Sequence, residues 1–196
     1  MKILIIGPLG AGKSSLAYAL NKKYGLARLN LDEVCRTKEG QIRTLKQQLS
    51  LIDSFLRRHV DWVMEGSQKI LYERVKPDLI VDMRISRIKA AFGFTLRFFK
   101  AKKLIGRDIP ADAPVQAYHY RKITVQKIRE WDGANKKINA QIREFLSTVK
   151  IPVITCRSFK QHHKVFSVVE NSRFSSDKGL YFKKGKIFAI KRKMLL

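Results

Sequence analysis

Gly7-Pro8-Leu9-Gly10-Ala11-Gly12-Lys13-Ser14, followed by Ser15, leaves few folds open to this chain. The glycines let the backbone curl so tightly that successive N–H groups turn inward on one point. The spacing is that of a phosphate-binding P-loop, G-x-x-x-x-G-K-S. A helix starting near Gly12 adds its positive end, Lys13 reaches the β- and γ-phosphates, and Ser14 offers an oxygen to magnesium. Such a loop needs a buried strand before it and a helix after it. Residues 3–6 are a continuous apolar run, and Leu16, Ala19 and Leu20 recur at helical spacing behind the loop. ATP with Mg2+ is the expected ligand, held by residues 7–15.

The same alternation continues down the chain. Short apolar runs at 27–31, 60–64, 79–83 and 152–156 read as strands. Residues 41–59, with Leu45, Leu49, Ile52 and Leu56 on one face, read as an amphipathic helix. Ser86 is placed to cap a helix over 88–103. Residues 106–114 hold a glycine and two prolines and read as a loop. A helical stretch over 115–149 has a possible break at Gly133, and 159–169 closes the unit as a helix. Strands alternating with helices imply a parallel sheet. The expected fold is therefore α/β, a three-layer P-loop NTPase fold with a parallel five-stranded sheet and helices on both faces. It occupies residues 1–170, and residues 171–196 form a basic extension that is either a small hairpin or a mobile tail.

A magnesium site also needs a carboxylate near the end of a strand. Asp32 follows the second strand and Glu65 the third, and either is placed to orient metal-bound water or take an acceptor's proton. Asp82 lies inside the fourth strand and reads as structural. Phosphoryl transfer needs cations as well. Arg107, between Gly106 and Asp108, suits a lid that closes over ATP, with Arg84, Arg97, Lys100 and Arg121 as further candidates. Arg36 and Arg43 lie where an acceptor's phosphate would be gripped. The expected catalytic set is Lys13, Asp32, Glu65 and Arg107, with Ser14 and Asp32 on the metal. Trp131, Ile138, Ile142 and Phe145 read as a core-facing stripe, and His162 and His163 face different sides of a helix.

Charge widens the range of partners. Lys and Arg number 41 against 16 Asp and Glu, a formal net charge of +25. Such a field attracts polyanions whatever the fold. Nucleic acid binding through the basic surface is thus an alternative to a purely small-molecule role. No apolar run is long enough to span a bilayer. The chain opens on a strand instead of a charged lead with an apolar signal, so a cytoplasmic location is expected. Cys35 and Cys156 stand far apart and read as reduced thiols.

With these residues in view, the chain resembles the adenylate-kinase-like group of P-loop kinases, and within it the small proteins called DNA topology modulation proteins. The resemblance rests on Ile5-Ile6-Gly7 through Ser14, on Leu29-Asn30-Leu31-Asp32, on Asp61 through Ser67, on Asp78 through Asp82, and on the basic aromatic stretch holding Phe92, Leu96, Arg97, Phe98 and Phe99. It implies an acceptor-binding insert at 33–58 and a lid-like region at 101–125. The third strand ends in Glu65-Gly66 where that group has Asp-Gly, and Glu33-Val34-Cys35-Arg36 stands where it has aromatic residues. The expected activity is transfer of the γ-phosphoryl of MgATP to a small acceptor such as a nucleoside monophosphate. The alternatives are a nucleic-acid-associated ATPase or polynucleotide kinase, and an ATP-binding switch with little turnover.

Overall fold

A computed structural model of the chain describes residues 1–37, 41–92, 125–173, 180–183 and 186–189. Its centre is a strand of five residues, β1 (Lys2–Ile6), hydrogen-bonded on both sides. β2 (Ala27–Asn30), β3 (Trp62–Gly66), β4 (Leu79–Met83) and β5 (Val153–Cys156) complete a parallel sheet in the order β2-β3-β1-β4-β5. The inner strands β3 and β4 are buried throughout, as a parallel sheet covered on both faces requires.

The faces separate by alternation along β1. Ile3 and Ile5 point to one core, shared with Leu16, Ala17 and Leu20 of α1 (Lys13–Tyr24) and Val165 and Val169 of the last helix. Leu4 and Ile6 point to the other, with Ile52 and Phe55 of α3 (Leu45–Arg58) and Ile142 and Phe145 of the long helix α5 (Val125–Thr148). Between these elements lie two one-turn helices, α2 (Leu31–Val34) and α4 (Lys69–Tyr72). After β5 a 3-10 turn (Phe159–Gln161) leads into α6 (His162–Arg173). The expected three layers and five parallel strands are present.

Several boundaries differ from the pattern-based expectation, each for a local reason. The second strand stops at Asn30, because its side chain accepts the Asp32 N–H at 2.9 Å and starts α2. The third strand begins at Trp62, whose N–H bonds to the Met1 carbonyl at 3.1 Å, and it runs through Gly66. Glu65 therefore lies inside the strand and not after it, and Asp32 lies in the first turn of a helix. The amphipathic run at 41–59 is helical only from Leu45. Thr44 and Gln47 form a reciprocal capping box there, and residues before it return along Arg36 through an antiparallel bridge to Ile42. Gly133 does not break α5. It faces open space, where a helix tolerates a glycine at modest cost.

Ser86 accepts from Lys89 N–H at 3.5 Å and begins a helical segment at 87–92. The expected remainder of that helix to 103, the loop at 106–114 and Arg107 lie outside the described residues. The tail forms an antiparallel pair, β6 (Leu180–Lys183) with β7 (Lys186–Ala189), so of the two readings the hairpin is the one observed. Among the described residues no helix is long and apolar enough to cross a membrane.

The capping box makes a clean test of the α3 boundary. Thr44→Ala should lower stability by about 1 kcal/mol and the melting temperature by roughly 2–4 °C, read by thermal unfolding.

Candidate functional site

The register of the sheet assembles the site. Ile5 pairs with Glu65 and Ile6 with both Gly66 and Asp82, so the ends of the three inner strands lie level. Gly7 leaves β1 at that edge with φ +152°, and a Cβ there would stand 2.7 Å from Met83 Cβ and 2.9 Å from the Met83 carbonyl oxygen. Only glycine lets the loop pass so close to β4. At the far end, Gly12 adopts φ +84° and serves as N-cap of α1 without a side-chain acceptor. The first N–H groups of that helix thus point out of the loop with no capping side chain, which is how helices receive anions. The ring of Phe159, from the turn after β5, lies against Gly12, with Cε1 at 2.5 Å from where a Cβ would stand.

Lys13 is 3% exposed, and its ammonium donates to the carbonyls of Gly7 at 3.1 Å and Pro8 at 3.0 Å. It curls back over the loop. Beneath it lies Glu65, 1% exposed, whose carboxylate meets Arg28 at 3.4 Å. Burial pushes the Glu65 carboxyl above the usual carboxylate range. Lys13 pulls it back, Asp32 pushes it further up, and a hydrogen bond from Ser14 and the charge of Arg28 lower it. The direction that survives is upward.

Asp32 joins this group through Ser67. Its Oδ1 accepts the Ser67 N–H at 3.4 Å, and the Ser67 hydroxyl donates to the Gly7 carbonyl at 3.2 Å. Tyr72, fully buried, donates to the Gly66 carbonyl at 2.9 Å, and burial raises its pKa so that the phenol stays protonated. Asp82 is buried and paired with Arg84. Ser14 is half-buried and Ser15 exposed, both in the first turn of α1. Among the described residues no three His, Cys, Asp or Glu side chains cluster as a metal site. Ser14, Asp32 and Glu65 nevertheless offer the hard oxygens with which magnesium, bound largely through phosphates and water, is content.

The expected acceptor arginines are placed differently from one another. Arg43 directs its guanidinium to the carbonyls of Glu33 at 2.9 Å and Val34 at 3.1 Å, and also to that of Arg36. It closes the C-terminal end of α2, a structural task at a helix end. Arg36 is exposed in the bridge to Ile42. Sequence patterns pointed to Lys13, Ser14, Asp32 and Glu65, which meet, but not to Arg28 or Asn135. Arg28 is found only through the strand register, because Asn30 pairs with Glu65 and Arg28 stands two residues earlier on the adjoining strand. Asn135 carries no motif at all. A cavity of about 750 Å³ lies apart from this group, between the 87–92 segment and α5, with Arg87, Ile88, Arg129, Trp131 and Lys136 among its walls. The convergence of charges at the sheet edge is the stronger pointer to chemistry, since none of Lys13, Asp32 or Glu65 lines that cavity.

No family model and no curated protein matches the chain. Solved structures do. A deoxyadenosine kinase from M. mycoides with bound dATP is 15% identical, with a TM-score of 0.50, over 87% of this chain and 100% of the other. The same kinase with bound dCTP is 16% identical, with a TM-score of 0.46, over 88% and 100%. A sugar kinase from Janibacter sp. HTCC2649 is 12% identical, with a TM-score of 0.45, over 86% and 93%. The likeness to the dATP-bound structure is one of fold. These findings overturn the resemblance to the adenylate-kinase-like group and to the DNA topology modulation proteins. The residues that suggested it, a glycine-rich turn and acids at strand ends, are what any nucleotide-binding α/β sheet needs, so their order and spacing do not single out one group.

Two outcomes follow from this geometry. Gly7→Ala should destabilise the protein by about 1–3 kcal/mol, because the clash is with β4 backbone and the φ angle is strained; urea unfolding reads it. For Glu65, the folded-state pKa lies above the unfolded one. Its contribution to stability is therefore fullest below the unfolded value and is lost as pH rises through the folded value. Glu65→Gln should melt higher than wild type at about pH 8, with the gap closing toward about pH 4.

Proposed function

We propose that the protein is a P-loop kinase that transfers the γ-phosphoryl group of MgATP to a small acceptor carrying a hydroxyl, with nucleosides the first class to test. The observation that carries this is the buried Glu65 carboxyl with its raised pKa, set beside Lys13 and Ser14 at the carboxyl edge of the sheet. A hydroxyl must lose a proton as it attacks phosphorus, and a carboxylate whose pKa is raised is a stronger base than an exposed one. A phosphate acceptor is already ionised and needs cations in its place. Of the two arginines expected to grip it, Arg43 serves the main chain of residues 33–36. The hydroxyl acceptor is therefore favoured over the nucleoside monophosphate. The fold shared with a deoxyadenosine kinase supports the same choice.

In this reading the loop N–H groups and the start of α1 hold the phosphates. Lys13 leaves the Gly7 and Pro8 carbonyls for the β- and γ-phosphates. Glu65 takes the acceptor's proton as the new P–O bond forms, and the bond to the β-phosphate oxygen breaks to release ADP. Magnesium, when bound, neutralises charge on the phosphate oxygens, with Ser14 and Asp32 as the side chains to hold it directly or through water. Residues 1–170 form the catalytic unit, 33–58 the acceptor side, and 101–125, with Arg107, the covering segment. Residues 171–196 are a basic extension to it.

Transfer from γ-labelled ATP with magnesium tests the proposal, offered nucleosides and deoxynucleosides, nucleoside monophosphates, sugars and 5′-hydroxyl oligonucleotides. Label should move to a nucleoside, and Lys13→Ala should reduce it by roughly 10²–10³-fold. Glu65→Gln should lower kcat by about 10²–10⁴-fold with ATP affinity retained. Label on oligonucleotides would support the nucleic-acid role that the charge of +25 allows. ATP bound but transferred to nothing would leave a nucleotide switch and refute the kinase.

A further inference from the structure

The phosphate-binding loop is held from outside its own sequence. Asn135, on α5, is 4% exposed, and its amide faces the peptide unit of Leu9. Asn135 Oδ1 accepts the Leu9 N–H at 2.7 Å, and Asn135 Nδ2 donates to the Leu9 carbonyl at 3.3 Å. One amide orientation satisfies both bonds, and the flipped amide would satisfy neither. The side chain thus pairs with Leu9 as a neighbouring strand would. It spans a sequence separation of 126 residues.

We propose that Asn135 is a positioning residue that holds the glycine loop in its phosphate-receiving shape before nucleotide arrives. This rests on the nucleotide reading given above, and it adds a residue that no loop motif contains. Two features of the site require such a tether. Lys13 supports the loop through the Gly7 and Pro8 carbonyls only while no phosphate is bound, because its ammonium must leave them to bind one. Ser67 holds Gly7 at the beginning of the loop, but its hydroxyl reaches no further along it. Asn135 grips the next residue but one and does not depend on Lys13. Its own helix is anchored by Ile142 and Phe145 in the core, and one turn before Asn135 its Asp132 pairs with Arg87 of the 87–92 segment. A pre-shaped loop binds phosphate without first losing its conformational freedom.

The test uses the full chain, with MgATP and magnesium tripolyphosphate as probes, and wild type, Lys13→Ala, Asn135→Ala and Asn135→Leu compared by calorimetric titration. Loss of two hydrogen bonds to the loop should weaken both probes by the same factor, about five- to thirty-fold. Equal loss on both probes separates a loop role from a role at the base, which tripolyphosphate lacks. Exchange of the Leu9 amide, followed by NMR, should be slow in ligand-free wild type and fast in both Asn135 variants. Binding within about twofold of wild type in a folded Asn135 variant, with Lys13→Ala impaired, overturns this inference alone; so does loss for ATP with none for tripolyphosphate. Wild type that binds neither probe, or Lys13→Ala that binds like wild type, overturns the nucleotide reading and this inference with it. If neither Asn135 variant folds, the wild-type Leu9 amide decides: protection like that of a helix interior supports the tether, and fast exchange refutes it.

Discussion

β1 pairs with a strand on each side, and Lys13, Glu65 and Asp82 are positioned from its end. Because the sheet is parallel, all five strands finish at one edge, and the two neighbours of β1 deliver Glu65 and Asp82 level with Ile5 and Ile6. The glycine loop then begins where β4 backbone leaves no room for a side chain. Parallel pairing alone would leave an edge of unmet helix dipoles and carbonyls. Here that edge also gathers Lys13, Glu65 and Asp82.

That edge holds groups that are electrostatically costly to bury. Glu65 is buried with its pKa pushed upward, Lys13 donates to main-chain carbonyls of the loop, and α1 starts without a capping side chain. A fold optimised for stability alone would place none of these here. The surrounding structure holds them: the two cores pack β1 from both faces, Tyr72 binds the Gly66 carbonyl next to Glu65, Ser67 binds the Gly7 carbonyl, and Asn135 binds the loop. The buried charged groups at this edge are thus held by neighbours from other elements.

The local pattern was readable wherever one element decides its own conformation. The uninterrupted apolar run at 3–6 identifies β1 and the run at 79–81 opens β4, because burial on both faces demands them. The glycine loop was readable because its φ angles exclude other residues. Boundaries were less readable where a distant group intervenes. Trp62 starts β3 because Met1 offers it a carbonyl, and Asn30 ends β2 by capping the next turn. Arg43 looked like an anion ligand from its charge and place, yet three carbonyls at the end of α2 claim its guanidinium. Charge in a sequence says what a side chain can bind and not which partner lies nearest.

By itself, the amino-acid sequence determined that a strand, a glycine-rich turn and a helix follow one another at residues 2–24, since short-range sterics and dipoles act between residues close in the chain. It also determined that acids stand near the ends of later strands. Only the tertiary structure decided that Glu65 is buried with Lys13, that Arg28 reaches it from the next strand, and that Asn135 holds Leu9. Those are contacts between residues far apart in the chain. Strand order and helix packing create them, and they leave no periodicity or spacing in the sequence to be read.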